Sequence, residues 1–555
     1  MILTEKRISR YLLLMAGALL TGLTVTFPIL GLLEWISLIP VGLFLLEMAS
    51  DQDVRLRRLY AWSFFFFFCY GLVTFHWFVN LYPLDFIDGM TEGGALAVVG
   101  ASWIGLSLFQ ALFGGFVFLL TGVLFRSHAA IRIPFLKPFM GAGVWAVYEW
   151  TQTLGWWGVP WGRLPLGQVK LLVGLQSAEW FGTYWITFLL VSVNFCLAYA
   201  ILSVLRRREA PCRGAVRSSC IAVAAILIFQ YATGVALWFS KPVGQSEKTG
   251  TVAGVQGNIA SNEKWSGESL AKTKAVYREY TLAAAEQGAD VVVWPETALP
   301  YTVKEGNSTY QYVSDLAREA EVTILAGAFT KDYDEEGNPL SYNSLICFLP
   351  DGAMHETVYS KRHLVPFGEF VPMRGLFETL IPPLAELVMS GDDLAKGENA
   401  AVITLDEGQI GSLICFDSIY EALTLDSVRD GAQLICLSTN DSWFTDSVAL
   451  DMHNAQAQLR AIESGRYVLR AANTGISSLI SHRGEEMERI PSHDAGMVIG
   501  EAELRESRTL YSYIGNTFVY LLILVFVNLI AYDVGVKIRK ILKKRGVFID
   551  RDMNL

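Results

Sequence analysis

The chain has 555 residues, 52% of them hydrophobic, and a mean hydropathy of +0.36, too apolar for an ordinary soluble protein and in keeping with several membrane spans. A formal net charge of −10 lacks the basic footprint that a nucleic-acid partner needs. The seven cysteines include no CxxC and no paired framework, which weakens structural-disulfide and metal readings.

The apolar residues crowd the chain up to about Ser240 and return near its end. Since about 20 apolar residues cross the hydrocarbon as a helix, eight spans are expected: Tyr11–Thr26, Leu30–Met48, Leu59–Asn80, Ala95–Phe125, Pro138–Leu154, Ala178–Leu205, Cys220–Phe239 and Tyr513–Val534. The fourth is too long for one upright crossing and implies tilt or extension. Basic clusters follow the even-numbered spans: Arg55, Arg57 and Arg58; Arg126, Arg132 and Lys137; Arg206, Arg207, Arg208, Arg213 and Arg217; and Lys537, Arg539, Lys540, Lys543, Lys544 and Arg545. With Lys6, Arg7 and Arg10 before the first span, all of them share one side, which the positive-inside rule makes the cytoplasm. Both termini are then cytoplasmic, and the segment between spans seven and eight is extracytoplasmic. On that outer side, Gly155–Gln168 (GWWGVPWGRLPLGQ) reads first as an aromatic belt at the interface and second as a lipid entry face. Glu149 and Glu179, near span ends, require no special role.

From about Lys248 to Ser507, β-branched runs alternate with helical stretches. Strands are expected at Thr251–Ile259, Asp290–Trp294, Val322–Phe329, Asn343–Leu349, Ala401–Leu405, Gly411–Phe416, Gln433–Ser438, Tyr467–Ala471, Ser477–Ser481 and Gly496–Glu501. Helices are expected at Ser266–Gln287, Thr309–Glu321 and Ala449–Ser464. This pattern implies a layered α/β domain. Three chemical groups stand in separate loops. Trp294-Pro295-Glu296 ends one strand, Cys415 ends another, and Lys361 lies between them in Tyr359–Glu369. Carboxyl ends of strands are where α/β sheets build sites. A thiol needs a base to become a nucleophile, a glutamate can shuttle its proton, and a lysine can stabilise an oxyanion. Each residue taken alone is more often structural or solvated.

The order Glu, Lys, Cys in these contexts resembles the nitrilase superfamily. The whole chain resembles the bacterial apolipoprotein N-acyltransferases, through WPETALP (Trp294–Pro300), YSKRHLVPFGEFVP (Tyr359–Pro372), CFDSIYE (Cys415–Glu421), TNDSWF (Thr439–Phe444), VQGNI (Val255–Ile259) with Lys264-Trp265, YNS (Tyr342–Ser344), RYVLRAANTGIS (Arg466–Ser477) and WGRLPLGQ. The resemblance implies a multispan helical bundle carrying an extracytoplasmic αββα sandwich. It divides the chain into residues 1–245 with seven spans, a catalytic domain at 246–508, and an eighth span with a basic tail at 509–555. It implies Glu296 as general base and acid, Lys361 as oxyanion partner and Cys415 as nucleophile. Glu369 becomes a supporting acid, Asn343 a polar neighbour, and Trp265 and Phe416 the lining of an acyl path. No metal or cofactor is implied. The donor is a membrane phospholipid, the acceptor a diacylglyceryl apolipoprotein, the location the bacterial inner membrane, and the expected state a monomer. The chain departs from the family at Cys415-Phe416-Asp417, where Cys-Tyr-Glu is common, which leaves the role of Asp417 open. Two competing readings are a membrane-tethered nitrilase-type hydrolase and a multispan transporter or sensor with a degenerate domain.

Overall fold

The computed structural model describes residues 7–84, 90–206, 213–240, 248–259, 267–380 and 393–545; Lys6, Arg207, Arg208, Lys264 and Trp265 lie outside them. Among the described residues, six helices are long and apolar enough to cross a membrane: Ile8–Thr26, Pro28–Met48, Glu92–Phe125, Thr183–Leu205, Arg213–Trp238 and Thr517–Lys544. The third and fifth expected spans are the helices Leu56–Thr74 and Lys137–Thr151. The second of these has 15 residues, about 22 Å at 1.5 Å per residue, shorter than the hydrocarbon. Both lie against the interior of the bundle, where Phe66, Phe67 and Trp145 are buried together. Small residues allow that closeness: an added Cβ at Gly114 or Gly115 would meet the rings of Phe67 or Tyr60.

The expected span Leu30–Met48 is broken into Gly31–Ser37 and Ile39–Met48. Pro40 near the start of the second piece has no N–H to continue the ladder. Asn194 bridges the break, accepting from the Leu38 N–H at 2.8 Å and donating to the Glu34 carbonyl at 2.9 Å. The sixth span breaks likewise at Gly182 (φ +74°), where any Cβ would strike the Tyr511 ring.

Between the bundle helices lies a two-sheet sandwich. Its strands are β1 Thr249–Gln256, β2 Val291–Val293, β3 Leu299–Thr302, β4 Thr323–Tyr333, β5 Pro339–Phe348, β6 Tyr359–Ser360, β7 Ile403–Thr404, β8 Gln409–Ile414, β9 Leu434–Thr439, β10 Tyr467–Ala472, β11 Ser477–Ile480, β12 Glu486–Ile490 and β13 Gly496–Glu503. One sheet runs β13-β1-β2-β4-β5-β6, with β3 beside β4; the other runs β12-β11-β10-β9-β8-β7. The two-residue side-chain period sorts the layers. Val291, Val293, Ile410, Ile414, Leu434 and Cys436 fill the space between the sheets. Val292 and Ile324 face the helices Gly267–Glu286 and Ser308–Ala320, and Ile435 and Leu437 face Val448–Ser464. The result is the expected αββα layering. β3, β6 and β12 fall outside the sequence expectation, as does the helix Glu421–Arg429.

The helix Val448–Ser464 also closes on the membrane half. Met452, Ala455, Leu459 and Ile462 belong to the same apolar cluster as Trp77, Trp145 and Trp161 of the bundle. This overturns the belt reading for much of the Gly155–Gln168 loop. Trp157 is exposed, but Trp161 is buried against Phe444 and His453, and 163–169 are buried throughout. Glu149 has a structural task after all. It is buried, and its carboxylate accepts from the Leu164 N–H at 3.0 Å and the Thr187 hydroxyl at 2.5 Å, holding that loop. Glu179 pairs with Arg483 of the sandwich at 2.6 Å.

Candidate active site

β2 ends at Val293, and Pro295 turns the chain so that Glu296 enters the cleft between strand ends. The turn lies directly on β4. At Gly327 an added Cβ would sit 2.2 Å from the Pro295 carbonyl and 2.8 Å from the Glu296 Cα. Glycine is therefore what lets the acid loop approach. β5 supplies Asn343, and the segment after β6 supplies Lys361, whose N–H donates to the Asn343 carbonyl at 2.8 Å.

Four of the expected residues meet. The Lys361 Nζ donates to Glu296 Oε1 at 3.0 Å and to Glu369 Oε1 at 2.9 Å. Asn343 Nδ2 donates to the same two oxygens at 2.7 and 3.1 Å. Burial pulls the Lys361 ammonium down, but Glu296 and Glu369 outweigh it and hold the group charged, well above an ordinary lysine. The remaining Glu296 oxygen accepts the Asn440 N–H at 2.9 Å, and the remaining Glu369 oxygen accepts the Val365 N–H at 2.9 Å. Each carboxylate is thus oriented at both ends.

Cys415 follows β8 in the left-handed region at φ +48° and opens the short 3-10 turn Cys415–Ile419. A non-glycine residue there is strained and must be held by its surroundings. Burial and the charge of Glu296 push its thiol well above the usual range, while Lys361 and a hydrogen bond with Thr439 pull it back. The resting sulfur is a protonated thiol that needs a base.

Asp417 has a definite task. It is fully buried and accepts from the Tyr359 hydroxyl at 2.8 Å and from the backbone N–H groups of Ile414, His363 and Arg362 at 3.1, 2.7 and 3.2 Å. One short carboxylate ties the lysine segment to the turn that Cys415 opens. Burial pushes its carboxyl up to about 6 against the pull of Lys361 and these donors. Phe416 is half-buried, packed edge-on to Tyr420 and near His363, on the side of the bundle cluster. Trp265, the other aromatic assigned to the acyl path, lies outside the described residues.

Several contributors are not evident from the three motifs alone. His453 is buried, with Nδ1 2.9 Å from Asp441 and Nε2 3.2 Å from the Cys415 carbonyl. The Cys415 sulfur, an Asp441 oxygen and a His453 nitrogen lie within 4.8 Å of one another. Arg470 also pairs with Asp441. Burial raises the Asp441 carboxyl, but Arg470 and His453 more than reverse this and keep it ionised. With Arg470 already neutralising Asp441, the group offers a cation little. The TNDSWF run carries Asp441, beside the Asn440 that donates to Glu296, and the RYVLRAANTGIS run carries Arg470, whereas no motif marks His453.

The thiol, the acid and the ammonium can together perform acyl transfer: a nucleophile, a proton carrier and an oxyanion partner. Comparison with known proteins narrows this. A family model described as carbon-nitrogen hydrolase matches residues 251–512, and one described as apolipoprotein N-acyltransferase N-terminal domain matches residues 16–196. An apolipoprotein N-acyltransferase of Geobacter metallireducens is 31% identical over 68% of this chain and 70% of its own. One of Pseudomonas syringae pv. tomato is 31% identical over 74% and 81%, and one of Gloeobacter violaceus is 26% identical over 88% and 87%.

Proposed function

Since the chain belongs to the apolipoprotein N-acyltransferase family, we propose that Cys415 carries a fatty acyl group as a thioester between a membrane phospholipid and the amino terminus of a diacylglyceryl apolipoprotein. The observation that carries this reading is the Lys361 ammonium gripped by Glu296 and Glu369 close to the half-buried Cys415 thiol. In the first half, Glu296 takes the Cys415 proton as sulfur bonds to the ester carbonyl carbon. The negative charge on oxygen is met by Lys361. The C–O bond then breaks, and the lysophospholipid oxygen leaves with the proton from Glu296. In the second half, the α-amino nitrogen bonds to the thioester carbon and gives a proton to Glu296. The C–S bond breaks, and the thiol regains its proton. The steps are ping-pong, without metal or cofactor.

Glu369 and Asn343 position the lysine and the acid in this scheme, and Asp417 fixes the loop that carries the lysine. Phe416 lines the acyl path, with Trp265 assigned the same role by sequence. The parity of the basic clusters supports eight spans, cytoplasmic termini and an extracytoplasmic catalytic domain in the inner membrane. The two short helices Leu56–Thr74 and Lys137–Thr151 complete the eight. The working unit is a monomer, with residues 1–245, 246–508 and 509–555 as seven spans, catalytic domain, and last span with tail. Both substrates are lipid-anchored, so a site seated on the bundle suits them. The Cys415→Ala protein should lose transfer of a labelled acyl chain to a diacylglyceryl peptide while keeping its melting temperature; transfer retained by this variant would remove Cys415 from the mechanism.

A further inference from the structure

The nucleophile turn is gripped by two buried arginines, one from each half of the molecule. Arg163, in the bundle loop, is 1% exposed, and its guanidinium donates to the Ile419 carbonyl at 3.3 Å and to Glu421 at 3.3 Å. Arg460, on the helix Val448–Ser464, donates to the same Ile419 carbonyl at 3.2 Å and to the Ser418 carbonyl at 3.4 Å. These carbonyls end the 3-10 turn that Cys415 opens at φ +48°. Asp417 holds the lysine side of that turn; the arginines hold the membrane side. Glu421 also accepts from the Tyr184 hydroxyl of the bundle. Burial raises the Glu421 carboxyl, but Arg163 and Arg460 more than reverse this, so the cross-half pair is ionic. A buried pair of this kind costs desolvation and is weak support for stability, so its use here is geometric.

We propose that Arg163 is a positioning residue: through the Ile419 carbonyl and Glu421, the membrane bundle sets the strained conformation in which Cys415 attacks. This rests on the reading of Cys415 as nucleophile. It makes the catalytic geometry of the sandwich conditional on its docking to the bundle. The guanidinium fork serves the carbonyl and the carboxylate at once, which an ammonium on a flexible stem does less well.

The test compares Arg163→Gln and Arg163→Lys with Gln456→Ala in the full-length protein in phospholipid vesicles. Gln456 donates to the Pro160 carbonyl at 3.2 Å, so it docks the same loop without touching the turn. Two rates are read: formation of acyl-Cys415 from a labelled phospholipid, and alkylation of Cys415 by iodoacetamide, located by peptide mass. Displacement of a reacting atom by about 1 Å costs on the order of a hundredfold. Arg163→Gln should therefore slow acylation by about that factor with KM within about twofold, Arg163→Lys should recover part of it, and Gln456→Ala should stay within about threefold of the parent. Alkylation should follow the same order, with a smaller spread. Equal acylation in Arg163→Gln and Gln456→Ala would overturn the proposal, leaving Arg163 as a docking residue only. Should the parent form no acyl-Cys415, the transferase reading fails, while alkylation still decides whether Arg163 sets the turn. If Arg163→Gln does not fold, Arg163→Lys carries the comparison, and Lys-for-Arg rates equal to Gln456→Ala in both readouts overturn the proposal.

Discussion

At the scale of single residues, Asp417 shows how much one carboxylate can organise. Four donors from two segments converge on it. An aspartate, with its short side chain, serves as the hub for Tyr359, Ile414 and the backbone after Lys361. Removing it strands buried donors, each costing about 1–3 kcal/mol. Asp417→Ala should lower stability by about 3 kcal/mol in a denaturation series and reduce acyl transfer by far more than that loss explains, because Lys361 and Cys415 lose their common anchor. The carboxyl, raised to about 6, adds a pH dependence. Below that value one oxygen becomes a donor and can no longer accept a backbone N–H. Transfer by the parent should therefore fall as pH drops through about 6; a rate flat from pH 7 to 5 would argue against this role.

At the scale of elements, the site is built from strand ends and the close approach of backbones. Gly327 on β4 is the tightest such approach beneath the acid loop. Gly327→Ala should displace Glu296, lowering acyl transfer about a hundredfold while circular dichroism still reports the sandwich. Full activity would mean that the loop tolerates the shift. Much at this scale was legible in the sequence. The strands from β1 through β13 that carry buried β-branched runs, and the helix Val448–Ser464, lie within a few residues of their expected places, because hydrophobic periodicity encodes burial directly. β12 was not legible, since Glu486–Ile490 is an edge strand with a mostly solvated face. β6 has two residues and exists through its pairing with β5, which local pattern cannot register. The Glu296, Lys361 and Cys415 motifs stood out by resemblance, whereas His453 and Arg460 sit in an ordinary-looking alanine-rich helix and acquire meaning through contacts from distant segments.

At the scale of the whole molecule, the two halves share one apolar core. Ile419 and Tyr420, just past Cys415, belong to the cluster that holds the bundle together. Hydrophobic residues bordering the chemistry, Phe416 and Phe444, pack on that cluster too. The Gly155–Gln168 loop is the connector: Gly158 accepts from Tyr420 at 2.9 Å, Pro160 from Gln456, and Arg163 grips Ile419 and Glu421. Composition marked that loop as aromatic and therefore interfacial. Its burial was invisible because the partner surface lies more than 250 residues later in the chain. Placing a thiol beside the bundle suits the lipid-borne substrates proposed for it. The most direct measurement is the mass of the intact protein after exposure to phospholipid vesicles, followed by addition of a diacylglyceryl peptide. The account predicts an acyl adduct on Cys415 that persists without acceptor and is discharged onto the peptide's amino group when acceptor arrives; an adduct lost to water at the same rate with or without the peptide, or no adduct on Cys415 at all, would contradict it.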